Sequence, residues 1–120
     1  MIWDFIASML QTPDAQPDAY TWAAALLGHF AIGVALTSAV GWALGAWRAA
    51  VAVAIVYAIG WEGAQIALYG STWADSLVDA TAVSCGAVVA AAAWRNCGRA
   101  IALALAILSA IGAAGVRKRR

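Results

Sequence analysis

Four apolar runs fill most of this chain, and short polar turns separate them. The first runs from about Tyr20 to Trp47, the second from Ala49 to Tyr69, the third from Asp75 to Trp94 and the fourth from Ala100 to Val116. A helix needs ~20 apolar residues to cross a bilayer, so the first run has length to tilt or project, while the fourth, at ~17, is short but sufficient. Lipid offers backbone groups no hydrogen-bond partner, so each run must satisfy its own as a helix. The pattern predicts an all-α fold: a polytopic membrane helical bundle with four transmembrane helices over residues 20–116. Ahead of it, Ile2, Trp3, Phe5, Ile6, Met9 and Leu10 share one helical face. This predicts a short N-terminal interfacial helix over residues 2–11, lying on the bilayer with Trp3 at headgroup level. In the linker TPDAQPD, Pro13 and Pro17 interrupt helix and Asp14 and Asp18 hold the segment in water. Asp18 or Thr21 is positioned to cap the first span. The chain thus divides into an interfacial helix and linker (1–19), a transmembrane domain (20–116) and a basic tail (117–120).

Composition strengthens this reading and removes other classes. Hydrophobic residues make up 65% of the chain and charged residues 11%, against about 25% charged in ordinary soluble domains. A soluble core of this size cannot hide that imbalance. The basic residues sit only at the ends of apolar runs, so nothing points to nucleic acid, and RKRR at the C-terminus reads as a membrane-surface anchor. The partner is the lipid bilayer, with homo-oligomerisation also open. Cys85 and Cys97 are ~18 Å apart by helical rise, which argues against a disulfide, and they show no metal-ligand spacing. No cofactor or metal is expected. The N-terminus lacks a basic region and carries Asp4, so no cleavable signal peptide is expected. Gly41 and Gly45 have the spacing that lets helices approach closely, a weak signal in a chain this rich in Gly and Ala. Four spans place the N-terminus, the 70–75 turn and RKRR on one side, and Arg48, Arg95 and Arg99 on the other. Carrying four adjacent cations across a membrane is costly, so both termini are expected in the cytoplasm.

The stretch from Trp61 to Asp79 interrupts this apolar pattern. It holds Glu62, Asp75 and Asp79, half of the six acidic residues. Glu62 and Gln65 share a helical face, as do Asp75 and Asp79. The turn from Tyr69 to Trp73 folds the two pairs toward each other near one membrane surface. His29, the single histidine, lies ~13 Å into the first span, and Glu62 lies ~10 Å deep measured from the same side. Polar groups of three helices therefore fall in one leaflet. Ionisable groups there cost several kcal/mol unless paired or hydrated. One reading is a one-sided polar pocket of His29, Glu62, Gln65, Asp75 and Asp79 that binds a ligand. The other is a hydrogen-bonded cluster that only holds the helices together. Taken singly, His29 reads as an interhelical hydrogen-bonder and Asp75 as the N-cap of the third helix. Glu62 is the most informative, being deep and without a basic residue at its level.

The order His29-Phe30, then Glu62-x-x-Gln65, a short turn, Asp79 and Gly86 resembles the VanZ-like family of small bacterial membrane proteins over roughly residues 25–95. Trp73 stands where that family's pattern has Arg and Val83 where it has Asn, which puts an anion-binding role in doubt. The resemblance implies a multi-pass protein of the bacterial inner (cytoplasmic) membrane, non-catalytic, that binds a polar envelope ligand or lipid headgroup. A similar pattern occurs in small phage-encoded membrane proteins, so a holin-like permeabilising or exclusion role is the alternative. An enzyme with His29 and the carboxylates as acid–base groups is the least supported class, since the chain shows neither a nucleophile motif nor a metal motif, and no catalytic residue is expected.

Overall fold

The computed structural model describes residues 1–4 and 17–120. The main elements are helices α1 (Ala19–Leu44), α2 (Ala46–Tyr69), α3 (Trp73–Trp94) and α4 (Gly98–Lys118), each long and apolar enough to cross a membrane. The described residues contain no strand. The chain is therefore an all-α, multi-pass helical bundle, as its apolar runs predict. Of the expected interfacial helix only residues 2–4 are described, and they are helical. Residues 5–16, including most of that helix and its linker, lie outside the described residues.

The helix ends show where local chemistry overrides hydropathy. Asp18 is the cap of α1: its Oδ2 accepts from the Thr21 backbone N–H at 2.7 Å and from the Thr21 hydroxyl at 2.9 Å. At the other end, α1 stops at Leu44 rather than at Trp47. Gly45 has φ 87° and ψ 147°, a conformation that side chains on Cα exclude and glycine tolerates. Trp47 and Arg48 consequently belong to α2. This also corrects the reading of Gly41 and Gly45 as a helix-contact pair, since Gly45 is the turn and Gly41 lies against the Trp94 ring.

The close crossing is elsewhere, between α1 and α3. A Cβ on Gly33 would overlap the Val83 carbonyl oxygen, and a Cβ on Gly86 would overlap that of Phe30. Backbone thus meets backbone, the arrangement that small residues permit when packing rather than hydrophobicity must hold helices in lipid. Around this crossing α3 becomes the most buried helix and touches the other three, while α2 and α4 flank the α1–α3 pair. One core joins Ala46, Ala50, Val53 and Tyr57 of α2 to Val83, Ala87 and Ala91 of α3. The other joins Trp22 and Leu26 of α1, Ala82 and Cys85 of α3, and Ala104 and Leu108 of α4. Val51, Ile55, Ile59, Leu77 and Leu103 face outward, where acyl chains would cover them. Exposed Tyr20 and Trp73 mark one rim and Trp42, Trp47 and Trp94 the other, as interfacial aromatics do.

The turn between α2 and α3, at the Tyr20 rim, sets the relative heights of those two helices. Gly70 takes a left-handed conformation, and the Gly70 and Ser71 N–H groups both donate to the Gln65 carbonyl, which ends α2 within a turn. Thr72 then caps α3: its hydroxyl accepts from the Asp75 N–H at 3.2 Å and donates to the Asp75 carboxylate at 2.9 Å. The cap is Thr72, not Asp75 as the sequence suggested, and α3 begins two residues earlier than expected. At the far end of the chain α4 continues to Lys118, so the basic tail is half helix. Arg117 and Lys118 occupy its last turn, where cations meet unpaired carbonyls. Arg119 donates to the Gly115 carbonyl at 3.1 Å and lies over the Trp22 ring at 4.5 Å. This contact ties the last turn of α4 to the first of α1. Cys85 and Cys97 are both free thiols.

Candidate functional site

A local irregularity in α2 builds the site. Residues Tyr57–Glu62 form a π-helical turn, in which backbone bonds run from i to i+5, so the turn is wider and residues five apart come nearer to one face than in an α-helix. Both Tyr57 and Glu62 are therefore turned inward and buried. In a regular α-helix they would point ~140° apart and one would face lipid. From α1, His29 approaches Tyr57 edge-to-face, with ring centroids 6.1 Å apart. From α3, Asp79 brings its Oδ2 to 3.5 Å from His29 Nε2. One ligand atom from each of His29, Glu62 and Asp79 lies within 4.8 Å of the others. Asp79 sits ~9 Å along α3 from its start and Glu62 ~10 Å from the end of α2, so the group lies inside one leaflet.

Elementary hydrogen-bond chemistry orients the parts. His29 Nδ1 is 2.7 Å from the Ala25 carbonyl oxygen. A carbonyl only accepts, so Nδ1 carries the proton. Nε2 then presents to Asp79 either a second proton, as imidazolium, or a lone pair. Glu62 is 2% exposed. The Tyr57 hydroxyl lies beside its carboxylate, yet neither that hydroxyl nor either Glu62 oxygen makes a hydrogen bond among the described residues. Buried carboxylates are normally paired or hydrogen-bonded. With His29 neutral and both acids ionised, the three side chains sum to two negative charges, which apolar surroundings do not tolerate uncompensated. Positive charge must enter, carried by protons or by a ligand. Imidazole nitrogen and carboxylate oxygen are both metal-ligand donor types.

Of the five residues singled out in the sequence, the structure brings together His29, Glu62 and Asp79. Gln65 is buried one turn further along α2. Asp75 does not join the group, because it is engaged with Thr72 in the first turn of α3. Tyr57 is the member that sequence reasoning missed. It stands five residues before Glu62, a spacing that the 3.6-residue period puts on another face, and only the π turn aligns the two. No match to this chain is found among protein-family models, curated proteins or solved structures.

Proposed function

We propose that this chain is a small, non-catalytic protein of the bacterial cytoplasmic membrane, VanZ-like in kind, whose intramembrane cluster of His29, Glu62 and Asp79 binds a polar envelope ligand. The observation that carries this reading is Glu62: a carboxylate 2% exposed whose two oxygens complete no hydrogen bond among the described residues, with the Tyr57 hydroxyl the donor beside it. A cluster serving only to hold helices together gains from satisfying such a group, because the lost partner costs about 1–3 kcal/mol. A binding site leaves its acceptors for the ligand. The sign of the site follows from its residues. Two carboxylates beside an imidazole recognise a cation or a donor-rich group such as an ammonium headgroup. The basic residues of the chain stand at helix ends, and Trp73, where the VanZ-like pattern has Arg, is exposed. An anionic ligand therefore has less to bind than a cationic one. His29 and Asp79 are part-exposed, which supports entry from their side of the bundle.

The test compares Glu62→Gln with Glu62→Leu in cells and in detergent. For a binding site, Glu62→Gln keeps the melting temperature and abolishes the phenotype of expression, read as altered susceptibility to envelope-directed glycopeptides, because the amide keeps shape but cannot ionise. A cluster that is only structural makes Glu62→Gln silent and Glu62→Leu destabilising. Growth arrest with sudden loss of membrane potential on expression would instead favour the holin-like role.

A further inference from the structure

We propose that His29, Glu62 and Asp79 bind one divalent transition-metal cation of the zinc class between α1, α2 and α3. The inference rests on the ligand-binding reading of the same cluster and names the ligand. Three observations point the same way. The first is spacing: two ligands ~2.1 Å from a metal in tetrahedral array stand ~3.4 Å apart, and His29 Nε2 and Asp79 Oδ2 stand 3.5 Å apart. The third donor lies within 4.8 Å of both.

The second observation is orientation. The Nδ1–H bond to the Ala25 carbonyl leaves Nε2 as the lone-pair nitrogen of the neutral ring. Metal-bound histidines are held in this way, with the remote N–H on a backbone carbonyl or carboxylate. In the neutral ring that lone pair faces the Asp79 carboxylate across 3.5 Å, an approach that becomes favourable once a cation, proton or metal, stands between the two.

The third observation is Glu62, independent of the other two. It is turned inward by the π turn, 2% exposed, and bonded at neither oxygen. Turns of this type occur often at functional sites. A dication cancels the two carboxylate charges, so the loaded site is neutral as its surroundings require. Donor type narrows the metal. Calcium takes six to eight oxygens and magnesium keeps most of its water, whereas an imidazole with two carboxylates suits zinc, and manganese less strongly. Cys85 belongs to the other core, with Trp22 and Leu26, so thiolate plays no part.

The experiment uses the full chain in detergent micelles, purified without a polyhistidine tag and stripped with chelator. Zinc is titrated calorimetrically, with magnesium in parallel. One zinc per chain is expected, with a raised melting temperature and no comparable magnesium binding. Glu62→Gln, Asp79→Asn and His29→Gln should each keep the helical circular dichroism spectrum and weaken zinc at least ~100-fold, a loss at the upper end of that from outer-shell changes. Asp75→Asn, outside the cluster, should bind as the parent does. Absence of zinc binding, equal binding of magnesium, or zinc binding that survives all three cluster substitutions overturns the inference. If zinc does not bind while Glu62→Gln still abolishes the cellular phenotype, the metal is wrong and the ligand-binding reading stands. If Glu62→Gln is silent in both assays, both fall.

Discussion

Replacing Gly86 with alanine tests whether the bundle is held at one crossing. The added methyl would overlap the Phe30 carbonyl oxygen and lie 2.9 Å from the Phe30 carbonyl carbon and 3.0 Å from the Val34 nitrogen. All three obstacles are backbone, and none can swing aside as a side chain does. Helices α1 and α3 must separate. Overpacking of a filled site typically costs 1–3 kcal/mol, and a rigid obstacle places this one near ~3 kcal/mol. For a chain of this size that corresponds to a fall of about 10 °C in melting temperature. The chain supplies its own control: a methyl on Gly112 meets only Leu26 Cδ2, at 3.6 Å. Gly112→Ala should be neutral or stabilising by up to about 1 kcal/mol, from reduced freedom of the unfolded chain. Gly33→Ala presses on the same crossing through Val83 and Ala87, so the double variant should lose less than the sum of the singles. Phe30 adjoins His29, so the shift should also lengthen the 3.5 Å approach of His29 to Asp79. The assay is thermal unfolding of each variant in one detergent. Equal melting temperatures for Gly86→Ala and Gly112→Ala would refute the crossing as the determinant of packing.

Two further outcomes follow from the helix ends. Thr72→Ala removes the hydroxyl that accepts from Asp75 and donates to it, and should cost about 1 kcal/mol, read in the same melting assay with Thr72→Ser as the rescuing variant. The Thr21 backbone and side-chain bonds hold the Asp18 carboxyl below its ordinary value, so its contribution is present above the unfolded-state value and is lost as pH falls through the lower folded one; protection of the Thr21 amide against exchange, relative to its unstructured rate, should fall over that acid range, and Asp18→Ala should lower that protection at every pH.

Particular residues show what was legible in the chain itself. Hydropathy located the four spans, because the bilayer forces any long apolar run into helix. The polar pairs on either side of Gly70 announced a hairpin with carboxylates in one leaflet, because depth along a helix is counted residue by residue. His29, Glu62 and Asp79 were all recognisable as costly intramembrane groups. Asp75 was indistinguishable from Asp79 by type and face, and only the Thr72 hydroxyl separated their roles.

What remained to tertiary structure was rotation. A helix that is apolar around its whole circumference carries no signal of which side faces inward. Nothing in the sequence therefore chose Gly33 and Gly86 over Gly41 and Gly45 as the crossing. Backbone contact with Phe30 and Val83 made that choice. The π turn at Tyr57–Glu62 is a second rotation that no 3.6-residue count contains, and it sets Tyr57 in line with Glu62. The sequence by itself determined how deep each ionisable group lies, because depth follows from position along one helix. Only the packing of α1, α2 and α3 decided that three of those groups meet within 4.8 Å, because the azimuth of each helix is set by its neighbours.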